Sequence, residues 1–267
     1  MIFTRDGVDL FFVDEGRGAP VVFLHGHTLD LRQWDDLARA VVGASFRALR
    51  YDQRGHGRSS SPPAGYRNGD HAADLAGLIE HLAVAPAHLV TLSRGGGVAL
   101  ELALRKPELV RSLLLIGPLV PDFRLSDELM ESFRVLARAV RARGVQAAIR
   151  EHWVSHPLVA RALTRPGARE RMEAMVMTFP AGEYLTAARD EPDRAWKLPD
   201  RLGEIAVPTL VVCGDHEIPD FVAMADLLVE CIPGSRLEIV PDCGHVVPVE
   251  QPGPTEAVAL DFLRSLA

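Results

Sequence analysis

A serine between a short apolar strand and a glycine-rich helix start is the feature that most constrains this chain. The apolar run 89–92 reads as a buried strand, Ser93 follows it, and three glycines precede the helix-forming residues 98–104. A strand that turns abruptly into a helix at a serine is typical of a nucleophile elbow. Glycines suit such a turn because it is strained and because the helix passes close to the strand. A glycine-rich turn with a serine N-cap, or a phosphate cradle, is the other interpretation.

Apolar runs and helical patterns alternate along the rest of the chain. A hairpin is predicted over residues 2–13, because an Asp-Gly pair separates two apolar runs there. The further predicted strands are residues 20–24, 46–51, 89–92, 111–116, 207–213 and 236–240. Continuous apolar runs are typical of parallel strands covered on both faces, and such sheets bind ligands at the carboxyl ends of their strands. The pattern therefore predicts an α/β fold with a mostly parallel sheet.

The alternation stops between residues 121 and 201, where an Arg-rich helical pattern takes over. Helices are predicted over 127–143, 145–154 and 168–178. An insertion of this size after a strand predicts a helical cap over the edge of the sheet that carries the polar loops. The chain then divides into a first core segment, residues 1–120, a cap, residues 121–201, and a second core segment, residues 202–267.

Charge and composition narrow the choice of partners. The net charge of −7 over 267 residues argues against nucleic acid and anionic membrane surfaces, since both require a basic face. No apolar run reaches the roughly 18 residues of a transmembrane helix, and no signal-peptide pattern is visible. Three cysteines without a C-x-x-C pair predict a reduced, cytoplasmic protein without a disulfide framework or a zinc site. A monomer or a homodimer that acts on a small molecule is the expectation.

Five motifs, in order and spacing, resemble those of the α/β-hydrolase family over essentially the whole chain. They are Leu-His-Gly at 24–26, Tyr-Asp-Gln-Arg-Gly-His-Gly-Arg-Ser at 51–59, the elbow at Ser93, the segment 208–217 ending in Gly-Asp-His-Glu, and the segment 242–252 beginning with Asp-Cys-Gly-His. The resemblance implies an α/β-hydrolase fold, with a mostly parallel eight-stranded sheet flanked by helices and an inserted helical cap. Within the family, the chain most resembles capped carboxylesterases and enol-lactone hydrolases.

The resemblance also implies a catalytic triad in the chain order serine, acid, histidine. Ser93 would be the nucleophile and His245 the base that takes its proton. The position of the acid falls on Glu217, while Asp215 and Asp220, and more remotely Asp122, stay open as alternatives. A surface histidine and a solvated acidic loop are the structural interpretations of the same residues.

Two backbone N–H groups are needed to stabilise an oxyanion, each contributing roughly 3–4 kcal/mol. The resemblance assigns them to His27 and Arg94. The elbow departs from the family pattern twice, because Thr91 stands where glycine is usual and Arg94 where an apolar or neutral residue is usual. We expect Thr91 to strain or shift the turn. The Arg94 side chain either forms an outward salt bridge, for example to Asp52 or to an acid of the cap, or pairs with a substrate carboxylate.

The cap is expected to help form a pocket for a small to medium, mostly apolar substrate. The residues predicted to line this pocket are His25, Arg94, Phe123, Leu125, Phe133, Trp153, Met175, Met177 and Phe179. The sequence thus predicts a serine hydrolase of carboxylic esters or lactones that uses no metal and no cofactor. Two alternatives remain: hydrolysis of a carbon–carbon bond in a β-diketone-like substrate with the same triad, and ligand binding with little or no turnover.

Overall fold

Eight strands form one sheet in the computed structural model of the protein, which describes residues 1–186 and 197–266. The strands are β1 (Ile2–Arg5), β2 (Val8–Gly16), β3 (Pro20–Leu24), β4 (Arg47–Tyr51), β5 (Ala87–Leu92), β6 (Val110–Ile116), β7 (Thr209–Gly214) and β8 (Arg236–Val240). Their order across the sheet is β1-β2-β4-β3-β5-β6-β7-β8. β2 pairs antiparallel with β1 and with β4, and every pair from β4 to β8 is parallel. The predicted eight-stranded, mostly parallel sheet is confirmed.

The predicted hairpin is formed by β1 and β2. Its two turn residues, Asp6 and Gly7, both have left-handed backbones, with φ of 49° and 78°. This geometry matches the right-handed twist of the flanking strands, which is why Asp-Gly pairs are common in two-residue hairpin turns. The hairpin forms one margin of the sheet, away from the strands whose ends carry Ser93 and His245.

The centre of the sheet is buried on both faces. All six residues of β5 and all six of β7 are buried, as expected for parallel strands between two layers of helices. Each fully buried Leu or Val side chain there contributes roughly 1.5–3 kcal/mol of hydrophobic stabilisation. The rigid strand ends that result hold the loops at one edge of the sheet.

The sheet is flanked by helices that mostly follow the predicted pattern. The α-helices are α1 (Asp35–Gly43), α2 (Asn68–His81), α3 (Arg94–Arg105), α4 (Asp127–Arg143), α5 (Val145–Ala148), α6 (Pro157–Thr164), α7 (Ala168–Val176), α8 (Gly182–Leu185), α9 (Pro219–Cys231), α10 (Val247–Glu250) and α11 (Pro252–Arg264). Helical turns of the 3₁₀ or π type occur at Leu31–Trp34, Pro107–Leu109, Ile149–Trp153 and Pro199–Glu204. Among the described residues, none of these helices combines the length and the apolarity needed to cross a membrane.

The regular elements between β6 and β7 are all helices in the described residues, and we call α4–α8 the cap helices. The sequence pattern predicted α4 with the same bounds, but it did not predict α6 or the single turn α8. Residues 187–196 of the predicted cap lie outside the described part of the chain. The boundaries drawn at 120/121 and 201/202 stay predictions, and the turn Pro199–Glu204 runs across the second of them.

Candidate active site

Ser93 adopts a strained backbone conformation at the junction of β5 and α3. Its φ of 52° and ψ of −117° lie in a region that non-glycine residues rarely adopt, at a cost of roughly 1–3 kcal/mol. Three hydrogen bonds hold it there. The Ser93 N–H donates to the Ile116 carbonyl at 3.0 Å, and the Ser93 carbonyl accepts from the N–H groups of Gly96 at 2.8 Å and Leu119 at 2.9 Å. The sharp turn predicted for a nucleophile elbow is therefore present.

Close packing at the elbow explains its glycines. A Cβ atom on Gly95 would lie 2.6 Å from the backbone oxygen of Leu24, so a side chain there would push α3 away from β3. A Cβ atom on Gly96 would lie 2.9 Å from the Pro118 Cβ, whereas Thr91 Oγ1 is 3.6 Å away, an ordinary contact distance. Thr91 is buried without a close contact at Gly96, and the strained φ falls on Ser93.

The carboxylate of Glu217 contacts the ring of His245. Glu217 Oε2 lies 2.7 Å from His245 Nδ1, and the two side chains are 0% and 5% exposed. The other Glu217 oxygen accepts a hydrogen bond from the Ile218 N–H at 2.9 Å, which fixes the carboxylate. Two of the alternative acids are engaged elsewhere: Asp215 accepts from the Cys243 N–H, and Asp220 accepts from the backbone and hydroxyl of Ser126.

A second buried carboxylate fixes the loop that carries His245. Glu250 accepts hydrogen bonds from the N–H groups of Gly244 at 2.9 Å and Val246 at 3.1 Å, the two residues that flank His245. The Phe221 ring packs edge-on against the imidazole, with 4.4 Å between the ring centroids. Both contacts restrict the His245 ring to one orientation.

Ser93 and His245 line the same cavity, which has a volume of about 370 Å³. The described residues that line it are Gly26, His27, Leu29, Tyr66, Asn68, Leu92, Ser93, Arg94, Leu119, Pro121, Leu125, Phe133, Trp153, Leu158, Val159, Glu183, Tyr184, Phe221, His245 and Val246. No hydrogen bond joins the Ser93 hydroxyl to His245 within the described residues, and bonds between a nucleophile and its base are often long without substrate. The cavity lining is mostly apolar and comes from both the core and the cap helices.

Some of the residues predicted to line the substrate pocket line this cavity, and others do not. Arg94, Leu125, Phe133 and Trp153 line the cavity as predicted, whereas His25, Phe123, Met175, Met177 and Phe179 do not belong to the described lining. His25 does not line the cavity because its ring is fully buried. The ring accepts a hydrogen bond from the Gln53 N–H at 2.9 Å and so anchors a loop.

Packing explains why the four apolar residues in this group do not line the cavity. Phe179 packs against the rings of His27 and His56, with centroid distances of 5.2 Å and 4.9 Å, and so lies behind the cavity wall. Met177 lines a separate groove of the cap helices, Met175 is buried in the core, and Phe123 is partly buried against that core. Helical spacing identifies a buried face, but it does not tell a cavity wall from the core behind it.

The two backbone N–H groups predicted for the oxyanion hole lie at the start of α3 and after β3. Within the described residues, neither the His27 N–H nor the Arg94 N–H has a hydrogen-bond acceptor. Cap residues anchor the segment 25–28, which we call the oxyanion loop. The Tyr184 hydroxyl lies 2.7 Å from His27 Nε2, and the Trp153 indole N–H donates to the Thr28 hydroxyl at 2.8 Å.

The Arg94 side chain forms an ion pair with an acid of the cap helices. Arg94 Nη1 donates to Glu183 Oε2 at 2.5 Å, and Arg94 Nη2 lies 2.7 Å from His71 Nε2. Both members line the cavity, so this pair lies in the cavity wall and does not point outward to solvent. Burial raises the pKa of Glu183, but the charge and hydrogen bond of Arg94, together with His27, outweigh burial and hold that pKa below its usual value.

Sequence reasoning missed Glu183 and Tyr184. They lie on α8, a single helical turn of four residues that has no periodic pattern to detect. Tyr66, Asn68 and Phe221 were missed as well, because they lie on other loops and helices that converge on the cavity only in the folded chain. No cluster of three or more His, Cys, Asp or Glu side chains suited to a metal ion occurs in the part of the chain that the structure describes.

The chain is similar in sequence and in structure to known proteins. Residues 19–252 match the model of a protein family described as the alpha/beta hydrolase fold. A thermophilic esterase from Thermogutta terrifontis superposes with a TM-score of 0.83 at 28% identity, covering 99% of this chain and 97% of the esterase. The enol-lactonase from Burkholderia xenovorans LB400 also superposes with a TM-score of 0.83, at 25% identity over 99% of this chain and all of that enzyme.

Curated relatives have more varied activities. A non-heme chloroperoxidase from Kitasatospora aureofaciens is 29% identical over 273 residues, which is 98% of each chain. A 2-hydroxy-6-oxo-6-phenylhexa-2,4-dienoate hydrolase from Burkholderia cepacia is 27% identical over 94% of this chain and 90% of its own. Similar proteins thus include esterases, a lactonase, haloperoxidases and C–C hydrolases.

Proposed function

The chain belongs to the α/β-hydrolase family, and from that premise we propose that it cleaves carboxylic esters or lactones through an acyl-enzyme on Ser93. The observation that carries the proposal is the 2.7 Å contact between Glu217 and His245 at a cavity that Ser93 also lines from a strained turn. An acid, a base and a nucleophile at one cavity are the groups that acyl transfer requires.

In the first half of the proposed reaction, the Ser93 hydroxyl oxygen attacks the carbonyl carbon while His245 Nε2 takes the hydroxyl proton. The negative charge that develops on the carbonyl oxygen is stabilised by the N–H groups of His27 and Arg94. Glu217 orients the ring through Nδ1 and stabilises its positive charge. Collapse of the intermediate breaks the ester C–O bond, and His245 gives its proton to the leaving alkoxide.

In the second half, water replaces the alcohol. His245 takes a proton from the water as it attacks the acyl carbon, and the Ser93 oxygen leaves with that proton to regenerate the enzyme. For a lactone, the alcohol stays attached to the acyl group, so a single hydroxy acid is released. The mostly apolar lining and the volume of about 370 Å³ support a small to medium substrate.

Hydrolysis of a C–C bond is the second candidate, because dienoate hydrolases are among the relatives. Those substrates carry carboxylates, and the cation in the described cavity lining, Arg94, is already paired with Glu183. This pairing favours the ester and lactone proposal. A ligand-binding protein without turnover remains the third candidate, since a fold alone does not determine an activity.

A series of p-nitrophenyl esters with acyl chains of increasing length tests the proposal. We expect hydrolysis that is fastest for chains that fit the cavity, and a loss of about 10⁴-fold or more in kcat for Ser93→Ala. Ser59→Ala is the matched control, because Ser59 is buried in a loop and bonds to the Asp52 carbonyl and the Phe11 N–H outside the cavity. Equal activity of Ser93→Ala and the parent chain would overturn the proposal.

A further inference from the structure

The charged side chains in the cavity wall form one isolated pair. Among the described residues that line the cavity, Arg94 contributes the one Lys or Arg side chain and Glu183 the one Asp or Glu side chain. Their side chains are 15% and 17% exposed, so solvent screens this pair weakly. The formal charge of the pair is zero, so the pair adds no net charge to a cavity whose lining is mostly apolar.

The groups that surround Arg94 and Glu183 add no charge to the pair at pH 7. His27 Nδ1 lies 3.1 Å from Glu183 Oε1, and His71 Nε2 lies 2.7 Å from Arg94 Nη2. Burial lowers the pKa of His27 to about 4 and the pKa of His71 well below its usual value, so both imidazoles are neutral at pH 7. The third neighbour is the Tyr66 carbonyl, 3.5 Å from Arg94 Nη2 and uncharged.

One way for a substrate carboxylate to pair with the Arg94 guanidinium is to displace Glu183, which already accepts a hydrogen bond from it. The displaced carboxylate would then be buried without a cation, which is strongly unfavourable in a partly desolvated site. Alternatively, both carboxylates would share one guanidinium and repel each other. An uncharged acyl or alcohol group neither displaces Glu183 nor repels it.

We propose that Glu183 is a specificity-determining residue that neutralises Arg94 inside the cavity and so makes the site select uncharged esters and lactones over carboxylate-bearing ones. The inference rests on the proposed ester hydrolysis and adds the charge class of the substrate. It also predicts a latent site: once the Glu183 charge is removed, Arg94 becomes a partner for a carboxylate at the far end of a substrate chain.

Two esters of matched length test this inference: p-nitrophenyl pentanoate and the mono-p-nitrophenyl ester of glutarate, in which a carboxylate replaces the terminal methyl group. The parent chain should prefer the pentanoate. Glu183→Gln keeps the size of the side chain and should shift the ratio of kcat/KM values toward the glutarate ester by at least about 10-fold, since a charge-assisted hydrogen bond is gained. The double variant Glu183→Gln/Arg94→Gln should lose that shift.

Glu131→Gln is the control for a general effect of charge. Glu131 also lies on a cap helix and pairs with an arginine, Arg138, but the pair is exposed outside the cavity. This variant should leave the ratio within about 2-fold of the parent value. The inference is overturned if the ratio does not move in Glu183→Gln, if it moves equally in Glu131→Gln, or if the shift survives in the double variant.

A binding measurement separates this inference from the proposed function. In the Ser93→Ala background, calorimetry should show that Glu183→Gln tightens binding of the glutarate monomethyl ester at least about 10-fold and leaves binding of uncharged methyl pentanoate nearly unchanged. Tighter binding of the glutarate ester, with no ester hydrolysis by the parent chain, would support the role of Glu183 and refute the esterase proposal. Unchanged binding of the glutarate ester, with hydrolysis that depends on Ser93, would refute the inference and leave the esterase proposal standing.

Discussion

A Cβ atom on Gly117 would lie 3.0 Å from His245 Nδ1 and 3.0 Å from Glu217 Oε2. Gly117 follows β6 with a left-handed φ of 44°, and its N–H donates to the Val212 carbonyl at 2.8 Å. The backbone after β6 therefore forms the surface against which the acid and the base meet. The contact between Glu217 and His245 depends on this bare surface as well as on the loops that carry the two residues.

Replacing Gly117 with alanine should lower kcat strongly while the chain still folds. The new methyl group is strained at this φ, costing roughly 1–2 kcal/mol, and it also pushes the acid and the base apart. We expect kcat to fall by about 10–100-fold at a temperature where the variant is folded. Gly167→Ala is the matched control, because Gly167 is left-handed, with φ of 78° and ψ of −22°, but has nothing within 4 Å of its Cβ position.

The two variants are compared by ester hydrolysis and thermal unfolding. Gly167→Ala should show a similar loss of stability with an unchanged kcat. If both variants lose stability and neither loses activity, the surface at Gly117 is not needed to position the pair.

Glu217→Gln should lower kcat by about 10³–10⁴-fold with a small change in KM. The glutamine amide can donate to Nδ1, which favours the ring tautomer that cannot accept the serine proton at Nε2. Steady-state kinetics on a p-nitrophenyl ester measure the effect. Asp215→Asn is the control, since Asp215 bonds to the Cys243 N–H and an asparagine oxygen retains that contact. A larger loss for Asp215→Asn than for Glu217→Gln would identify the wrong acid.

Tyr184→Phe should loosen the oxyanion loop. The variant removes the hydroxyl 2.7 Å from His27 Nε2 and keeps the aromatic ring in the cavity wall. Because an ordinary hydrogen bond contributes about 0.5–1.5 kcal/mol, we expect kcat to fall roughly 3–10-fold and KM to change less. Tyr51→Phe is the comparison, because the buried Tyr51 hydroxyl has no partner in the described chain and lies outside the cavity lining. A rise in KM with an unchanged kcat would argue against a positioning role for Tyr184.

The folded chain should lose stability as the pH falls from about 6.5 toward 4. Burial lowers the pKa of His25, His27, His88 and His156 to about 4, from an ordinary value of 6.5. Between these values the unfolded chain binds protons that the folded chain does not, so the free energy of unfolding decreases with falling pH. Asp52 opposes this trend, because burial raises its pKa to about 6.

Thermal unfolding between pH 4 and 8 measures this dependence. His88 offers a variant far from Ser93, at the opposite end of β5, where its Nδ1 lies 2.8 Å from the Ser112 hydroxyl. His88→Asn retains a polar group for that hydroxyl but takes up no proton. Its melting temperature should fall less steeply with pH than that of the parent chain. Parallel curves for the two proteins would show that burial of His88 does not contribute to acid unfolding.

Most of the fold could be predicted from the sequence because the patterns that indicate it are local or strongly periodic. The Asp-Gly turn, the apolar strands and the pattern of α4 each follow from neighbours along the chain. The order of the motifs placed Ser93, Glu217 and His245 at the carboxyl ends of strands, and parallel strands bring such ends to one edge. The structure brings Glu217 into contact with His245, as the order suggested.

The substrate cavity was less predictable because it depends on contacts between distant segments. His25 lies in a functional-looking motif, yet its ring is fully buried and bonds to Gln53. Glu183 lies 89 residues from Arg94 on a helix of one turn, so neither periodicity nor spacing relates the two. The salt bridge expected for Arg94 was one of two open interpretations, and its location in the cavity wall came only from the structure.

Covalent labelling of the nucleophile tests the central claim most directly. The parent chain is treated with a fluorophosphonate, and intact-mass spectrometry with peptide mapping then locates the adduct. We predict one phosphonyl group per chain on Ser93, formed by loss of fluoride from phosphorus, with labelling slowed by His245→Gln and abolished by Ser93→Ala. The absence of an adduct on the parent chain, or an adduct that forms equally fast on Ser93→Ala, would contradict the account.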